Sequence, residues 1–149
     1  DCPLNLDCYK NFKAAREKAK SQNKPILIDF TGWACVNCRR VEENIWSNPE
    51  VYDILKNKFI ISSLYVDDRK KLSPDESFNF KFRDGRIKKI RTIGEKWSTF
   101  QLQNFNSASQ PYYIMIHPNG RILNYPIQYT SSVNKYRNWL NKGLDNYGL

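Results

Sequence analysis

A three-layer α/β fold is predicted by three observations: an apolar run, Ile26 to Phe30, leading into a turn and a helix; an alternation of helical and extended segments; and a length of 149 residues, which suits one domain with its own core. The run is apolar on both faces apart from Asp29, the pattern of a central parallel strand. Gly32 frees the backbone to turn, and from Cys35 onward Val41, Ile45 and Trp46 recur at helical spacing. Cys35 and Cys38 therefore stand side by side on the first turn of a helix. There they can close a disulfide, and backbone amides favour a thiolate on the first of them.

In chain order, residues 1–7 read as an extended lead, and a first helix follows with Asp7 as N-cap and Cys8, Phe12, Ala15 and Ala19 as its stripe. Pro25 ends it by disfavouring helix at the preceding residue. After the central strand and the C-x-x-C helix, Asn48-Pro49 breaks that helix and Pro49 opens another through Leu55. Phe59 to Val66, rich in Ile, Val and Tyr, is the next strand. Residues 67–95 read as an insertion: Phe78, Phe80 and Phe82 alternate with period two, and Asp84-Gly85 is a two-residue turn before Arg86-Ile87-Lys88, together a β-hairpin. Its three phenylalanines suit a small satellite core. Trp97 to Phe105 has helical spacing, and Tyr112–Ile116 with Arg121–Tyr125 predicts a last hairpin around His117-Pro118-Asn119-Gly120. Ser131 or Ser132 caps a final helix with Val133, Tyr136, Trp139, Leu140 and Leu144 as its stripe, and Gly143 is placed near its C-terminal end. Residues 1–149 thus form a single domain with the order αβαβ, insertion, αββα.

Composition narrows the function classes. The net charge of +9 suggests nucleic acid or anionic lipid, but residues 69–91 alone hold nine Lys/Arg against three Asp/Glu, so two thirds of the excess sits in one loop-like segment. No nucleic-acid motif accompanies it, and a solvated face is the expectation. No apolar run approaches the ~20 residues of a membrane helix, and the absence of a leader pattern in a chain beginning at Asp1 suggests a mature or excised soluble segment. A zinc site is set aside, because Cys2, Cys8 and His117 stand at no useful spacing to complete four ligands with Cys35 and Cys38. Cys2 and Cys8 either form a small disulfide or remain a free thiol and a buried helix position.

The segments Phe30-Thr31-Gly32, Cys35-Val36-Asn37-Cys38-Arg39, Leu64-Tyr65-Val66-Asp67-Asp68, Arg91-Thr92-Ile93-Gly94, Lys96-Trp97-Ser98 and Gln110-Pro111-Tyr112-Tyr113 resemble the thioredoxin superfamily. Over roughly residues 8 to 142 they are most similar to the C-terminal periplasmic domain of DsbD-type membrane thiol:disulfide interchange proteins. One departure is that Ala34 precedes the first cysteine where many members carry Trp, and Trp33 stands one earlier. The resemblance implies a thioredoxin-like fold with a central mixed sheet flanked by helices and the β-hairpin inserted at about 67–95. It also implies a periplasmic protein-disulfide reductase that needs no cofactor beyond its dithiol. Electrons would come from a transmembrane donor domain and pass to periplasmic disulfide proteins. A free-standing periplasmic thioredoxin or isomerase is the alternative within the class; a thioredoxin-scaffold binding module using the basic hairpin is the non-enzymatic one.

Catalytic roles follow residue by residue. Cys35 is the nucleophile and Cys38, one turn deeper, the resolving thiol. Asp29, six residues before Cys35, matches the family's buried acid and holds the proton that Cys38 must lose; an Asp capping the turn is the plainer reading. Glu42, four after Cys38, either tunes the pair or is a solvated helix residue beside Arg39 and Arg40, which are expected to point to solvent. Pro111 matches the family's cis proline, and Gln110 before it offers backbone groups to an incoming chain. Trp33 flanks the dithiol or belongs to the core.

Overall fold

The computed structural model describes residues 2–148; Asp1, part of the expected lead, lies outside the described residues. A four-stranded sheet runs in the order β1 (Cys8–Tyr9), β3 (Ile60–Tyr65), β2 (Ile26–Thr31), β6 (Tyr112–Ile116). β1 and β2 both lie parallel to β3, whereas β6 is antiparallel to β2, so the sheet is mixed, as predicted. Side chains alternate across β2. Ile26, Ile28 and Phe30 face a core built with Ala15 and Ala19 of α1 (Phe12–Gln22) and Trp97 of α4 (Ile93–Phe105). Leu27 faces the other core, with Val41 of α2 (Val36–Val41), Val51 and Leu55 of α3 (Pro49–Lys58), and Tyr136, Trp139 and Leu140 of α5 (Val133–Tyr147). These helices on the two faces complete the three layers. Asp29 and Thr31 share Leu27's side of the strand, which places both beneath α2.

Several boundaries differ from expectation for identifiable reasons. Pro3–Asn5 is a short 3-10 turn, so the lead is not extended throughout. Cys8 is not on α1: it pairs with Ile61 at the sheet edge, and the helix starts at Phe12 with Asn11, not Asp7, as N-cap, its side chain accepting from Ala14 N at 3.1 Å. α2 continues beyond Val41 as a π turn, Glu42–Trp46. α4 begins four residues before Trp97, because Thr92 and Glu95 form a reciprocal capping box. The expected final strand Arg121–Tyr125 is reduced to isolated bridges, Ile116 to Ile122 and Tyr113 to Ile127. Pro126, which has no N–H, interrupts that ladder. Gly143 lies within α5, where Met115 packs against it and leaves no room for a Cβ; the helix runs on to Tyr147.

The insertion contains the predicted hairpin, β4 (Phe78–Lys81) with β5 (Ile87–Ile90), in the register Phe78 to Ile90. Its turn has three residues rather than two: Phe82 N donates to Arg86 O at 2.8 Å, and Gly85 takes φ 90°, which a side chain would resist. The ends of the insertion are joined by Leu72 N to Arg91 O at 2.7 Å and Ile93 N to Lys70 O at 2.9 Å. Next to that junction Gly94 donates to Asp68 O at 2.9 Å, and a Cβ on it would stand 2.6 Å from Val66 O.

Candidate active site

β2 and β3 end level with each other, Thr31 opposite Tyr65, so the residues that follow both strands meet at the same end of the sheet. Asp67, two beyond β3, accepts from Trp33 N at 2.9 Å and Ala34 N at 3.1 Å, and so grips the turn that leads into α2. Gly32 lets that carboxylate come close, since a Cβ there would lie 3.1 Å from Asp67 Oδ2. Cys35 then takes the N-cap position of α2, and its Sγ accepts from Cys38 N at 3.2 Å. The two cysteines form a disulfide with Cα atoms 5.2 Å apart. Cys35 is partly exposed, whereas Cys38 is fully buried. An incoming disulfide therefore reaches Cys35 first, and the amide that now serves its sulfur would serve a thiolate equally well.

On the same side of β2, against α2 and the turn that follows it, lies a buried charged cluster. Asp29 is 2 % exposed; Ser63, its neighbour on β3, donates to Oδ2 at 3.1 Å, and Oδ1 has no hydrogen-bond partner among the described residues. Burial, reinforced by the nearby Glu42 carboxylate, pushes the Asp29 carboxyl up to about 7. Glu42 is 6 % exposed, not a solvated helix residue; burial raises its carboxyl, and Arg39 opposes that rise. Arg39 also departs from expectation, because it turns inward. Its Nε and Nη2 donate to the two Glu42 oxygens at 2.8 Å each, Nη2 to Thr31 Oγ1 at 3.0 Å, and Nη1 to Trp33 O at 3.3 Å. This bidentate pair leaves Asp29 as the carboxyl of the cluster without a cationic hydrogen-bond partner.

Trp33 is 48 % exposed and lies flat on Tyr65, with ring centroids 3.8 Å apart, rather than in either core. Lys10 Nζ lies alongside the stack, 4.9 Å from the Trp33 centroid and 5.7 Å from that of Tyr65. The Gln110–Pro111 bond is cis, and Pro111 is buried one position before the Tyr112–Phe30 pair, at the sheet end that carries the cysteines. The Gln110 side chain is tied back to Gln101 Oε1 at 2.9 Å and Ala108 O at 3.1 Å, so its main chain is what it can offer an incoming strand. Asp67, Lys10 and Ser63 escaped the sequence reading as site residues. Only Asp67 left a trace, a carboxylate directly after an apolar strand. Among the described residues, no group of His, Cys, Asp and Glu is arranged to hold a metal ion.

A family model described as thioredoxin-like matches residues 7–83. Over 77 residues the chain is 26 % identical to the thiol:disulfide interchange protein DsbD of Campylobacter jejuni strain RM1221, a match covering 51 % of this chain and 14 % of that protein. Among solved structures, a thioredoxin from Thermus thermophilus superimposes with a TM-score of 0.67 at 14 % identity, covering 97 % of this chain and 92 % of that one. The reduced C-terminal domain of Neisseria meningitidis DsbD does so with a TM-score of 0.58 at 15 % identity, covering 91 % and 98 %. At such identities the superpositions speak for the fold.

Proposed function

The chain belongs to the thioredoxin-like family, and from that premise we propose that it is a thiol–disulfide oxidoreductase acting as the periplasmic output domain of a DsbD-like membrane reductase. The observation that carries this reading is the pairing of a partly exposed N-cap Cys35 with a fully buried Cys38 on a helix whose Arg39 and the following Glu42 neighbour the buried Asp29 carboxyl, which burial pushes up to about 7. In the reduced protein the Cys35 thiolate attacks one sulfur of a partner disulfide, forming a mixed disulfide and releasing the first partner thiolate. Asp29, in its ionised form, takes the proton from Cys38. The Cys38 thiolate then attacks Cys35 Sγ, closes the Cys35–Cys38 disulfide and expels the second partner thiolate. Two electrons have moved to the partner, and a dithiol donor, proposed to be a transmembrane domain of a longer protein, restores the starting state. No helix among the described residues is long and apolar enough to cross a membrane, so that donor would lie outside this segment. Gln110 and Pro111 receive the partner's chain alongside β6, and Trp33 forms the exposed wall next to the nucleophile.

Arg39 offsets the charge of Glu42, so Asp29 is the unmatched negative group of the cluster, and its ionised form works against a strongly stabilised thiolate, which favours a reductant nearer the about −270 mV of thioredoxin than the about −120 mV of strongly oxidising superfamily members. Equilibration with glutathione buffers tests this, and a midpoint well above the glutathione range would turn the assignment toward an oxidase or isomerase. Limited alkylation of the reduced protein should label Cys35 before Cys38, and the reverse order would exchange their roles.

A further inference from the structure

A cleft of about 540 Å³ opens where the start of α1, residues 70–76 and the start of α4 meet. Its lining includes Lys10, Lys70, Lys71 and Lys96, with Glu76 as the single acid. Glu76 Oε1 already accepts from Ser73 Oγ at 2.5 Å, and among the described residues none of the four lysines is in an ion pair. Trp97 lines the same cleft, only 5 % exposed, and its indole N–H has no acceptor among the described residues. That N–H is itself closed to solvent, so recognition in the cleft falls to the lysines. Lys10 links the cleft to the side of the molecule that carries the dithiol, since it lines the cleft and its Nζ lies 4.9 Å from the ring of Trp33, two residues before Cys35.

We propose that this cleft binds an acidic segment, a run of Asp or Glu side chains, of the protein whose disulfide is exchanged at Cys35. The four lysines supply complementary charge that raises the encounter rate and selects the partner. The inference rests on the exchange reaction proposed above for the identity of the partner, though not for the binding of the acidic segment. It also gives the basic insertion a task at the site, through Lys70 and Lys71.

The test has two arms. In the first, disulfide-free peptides with four consecutive glutamates or four glutamines are titrated into the oxidised protein at low salt and followed by calorimetry. The glutamate peptide should bind at least about tenfold more tightly, and Lys70→Glu/Lys71→Glu should remove that preference, as should about 0.5 M salt in large part. Lys96→Gln, on a different element, should weaken it independently. Equal affinity for the two peptides, or a preference untouched by both variants, overturns the proposal. Phosphatidylglycerol vesicles that displace the glutamate peptide and bind more tightly would make the cleft a lipid site and also overturn it. In the second arm the same sequences flank a disulfide, and the reduced protein should reduce the glutamate version about tenfold faster, an advantage absent from the double variant. Binding preserved with neither disulfide reduced would sink the exchange reaction while leaving the cleft as an acidic-segment site.

Discussion

The two disulfides join cysteines close in sequence, Cys2 to Cys8 and Cys35 to Cys38, but they differ in what surrounds the sulfurs. Cys8 sits on a two-residue edge strand, and among the described residues no hydrogen bond reaches its sulfur or that of Cys2. Cys35 has the amide of Cys38, a turn gripped by Asp67, and, along the helix it caps and the turn after it, an ion pair that neighbours a buried carboxyl. The difference teaches that a disulfide becomes an exchange centre by what stabilises its thiolate and holds its proton. Cys2–Cys8 closes a short loop that ties the start of the chain to β1.

The harshest way to break the contrast is to remove a sulfur from each pair. Cys35→Ser should drop insulin reduction to the uncatalysed background, and Cys38→Ser should accumulate a covalent mixed disulfide visible by mass. Turnover surviving in Cys35→Ser would end the assignment.

Asp29→Asn comes next. Resolution of the mixed disulfide should slow about a hundredfold while its formation is spared, and the rise in resolution rate through about pH 7 should vanish. The same group sets a stability profile. Its folded value of about 7 lies above the ordinary 3.8, so the folded protein holds this proton more tightly and stability declines between about pH 4 and pH 7. The part of that decline between pH 5 and pH 8 amounts to about 3 kcal/mol in the disulfide form and should be flattened in Asp29→Asn, as read from denaturant midpoints at those two values. Wild-type and variant profiles that run parallel would make Asp29 a bystander.

A smaller effect is expected from Asp67→Ala, which frees two backbone donors on an exposed turn. Stability should fall by about 1 kcal/mol, and alkylation of Cys35 should lose its preference over Cys38 in part, as followed by thermal midpoint and peptide mapping. Least of all should follow from Cys2→Ser/Cys8→Ser. Turnover should stay within about twofold while stability falls by about 2 kcal/mol through the loop that is no longer closed. A large loss of turnover there would mean that β1 and Lys10 hold the site as well as the fold.

Local and periodic information made the core of this protein readable from its residues. The apolar run around Asp29, the C-x-x-C spacing and the stripe of α5 each follow from near neighbours, and the cysteines at the helix start could be assigned chemistry without a fold. Asp67 could not be found that way, because its grip on Trp33 and Ala34 depends on the level ends of two parallel strands more than thirty residues apart. β1 was hidden for a similar reason: two residues carry no period, and Ile61 and Ser62 supply the pairing. Arg39 looked like a surface residue by spacing, yet Glu42 beneath it offers a carboxylate that its guanidinium can reach only by folding inward. The capping box at Thr92 and Glu95 is present in the residues as T-x-x-E, but directly after a basic insertion so short a motif does not by itself mark where a helix begins.

The paired ends of the insertion have a consequence for how such a chain can change. Leu72 meets Arg91 and Ile93 meets Lys70, so the hairpin leaves the body through a closed neck, with Gly94 wedged against Val66 and Asp68 at its base. Lengthening a loop whose ends are already held together adds little entropic cost, since that cost grows only with the logarithm of length. Residues 82–86 at the far tip can therefore gain or lose residues without pulling Asp67 away from Trp33. The neck makes the tip a graft point, where a new recognition loop can be attached to an unchanged dithiol.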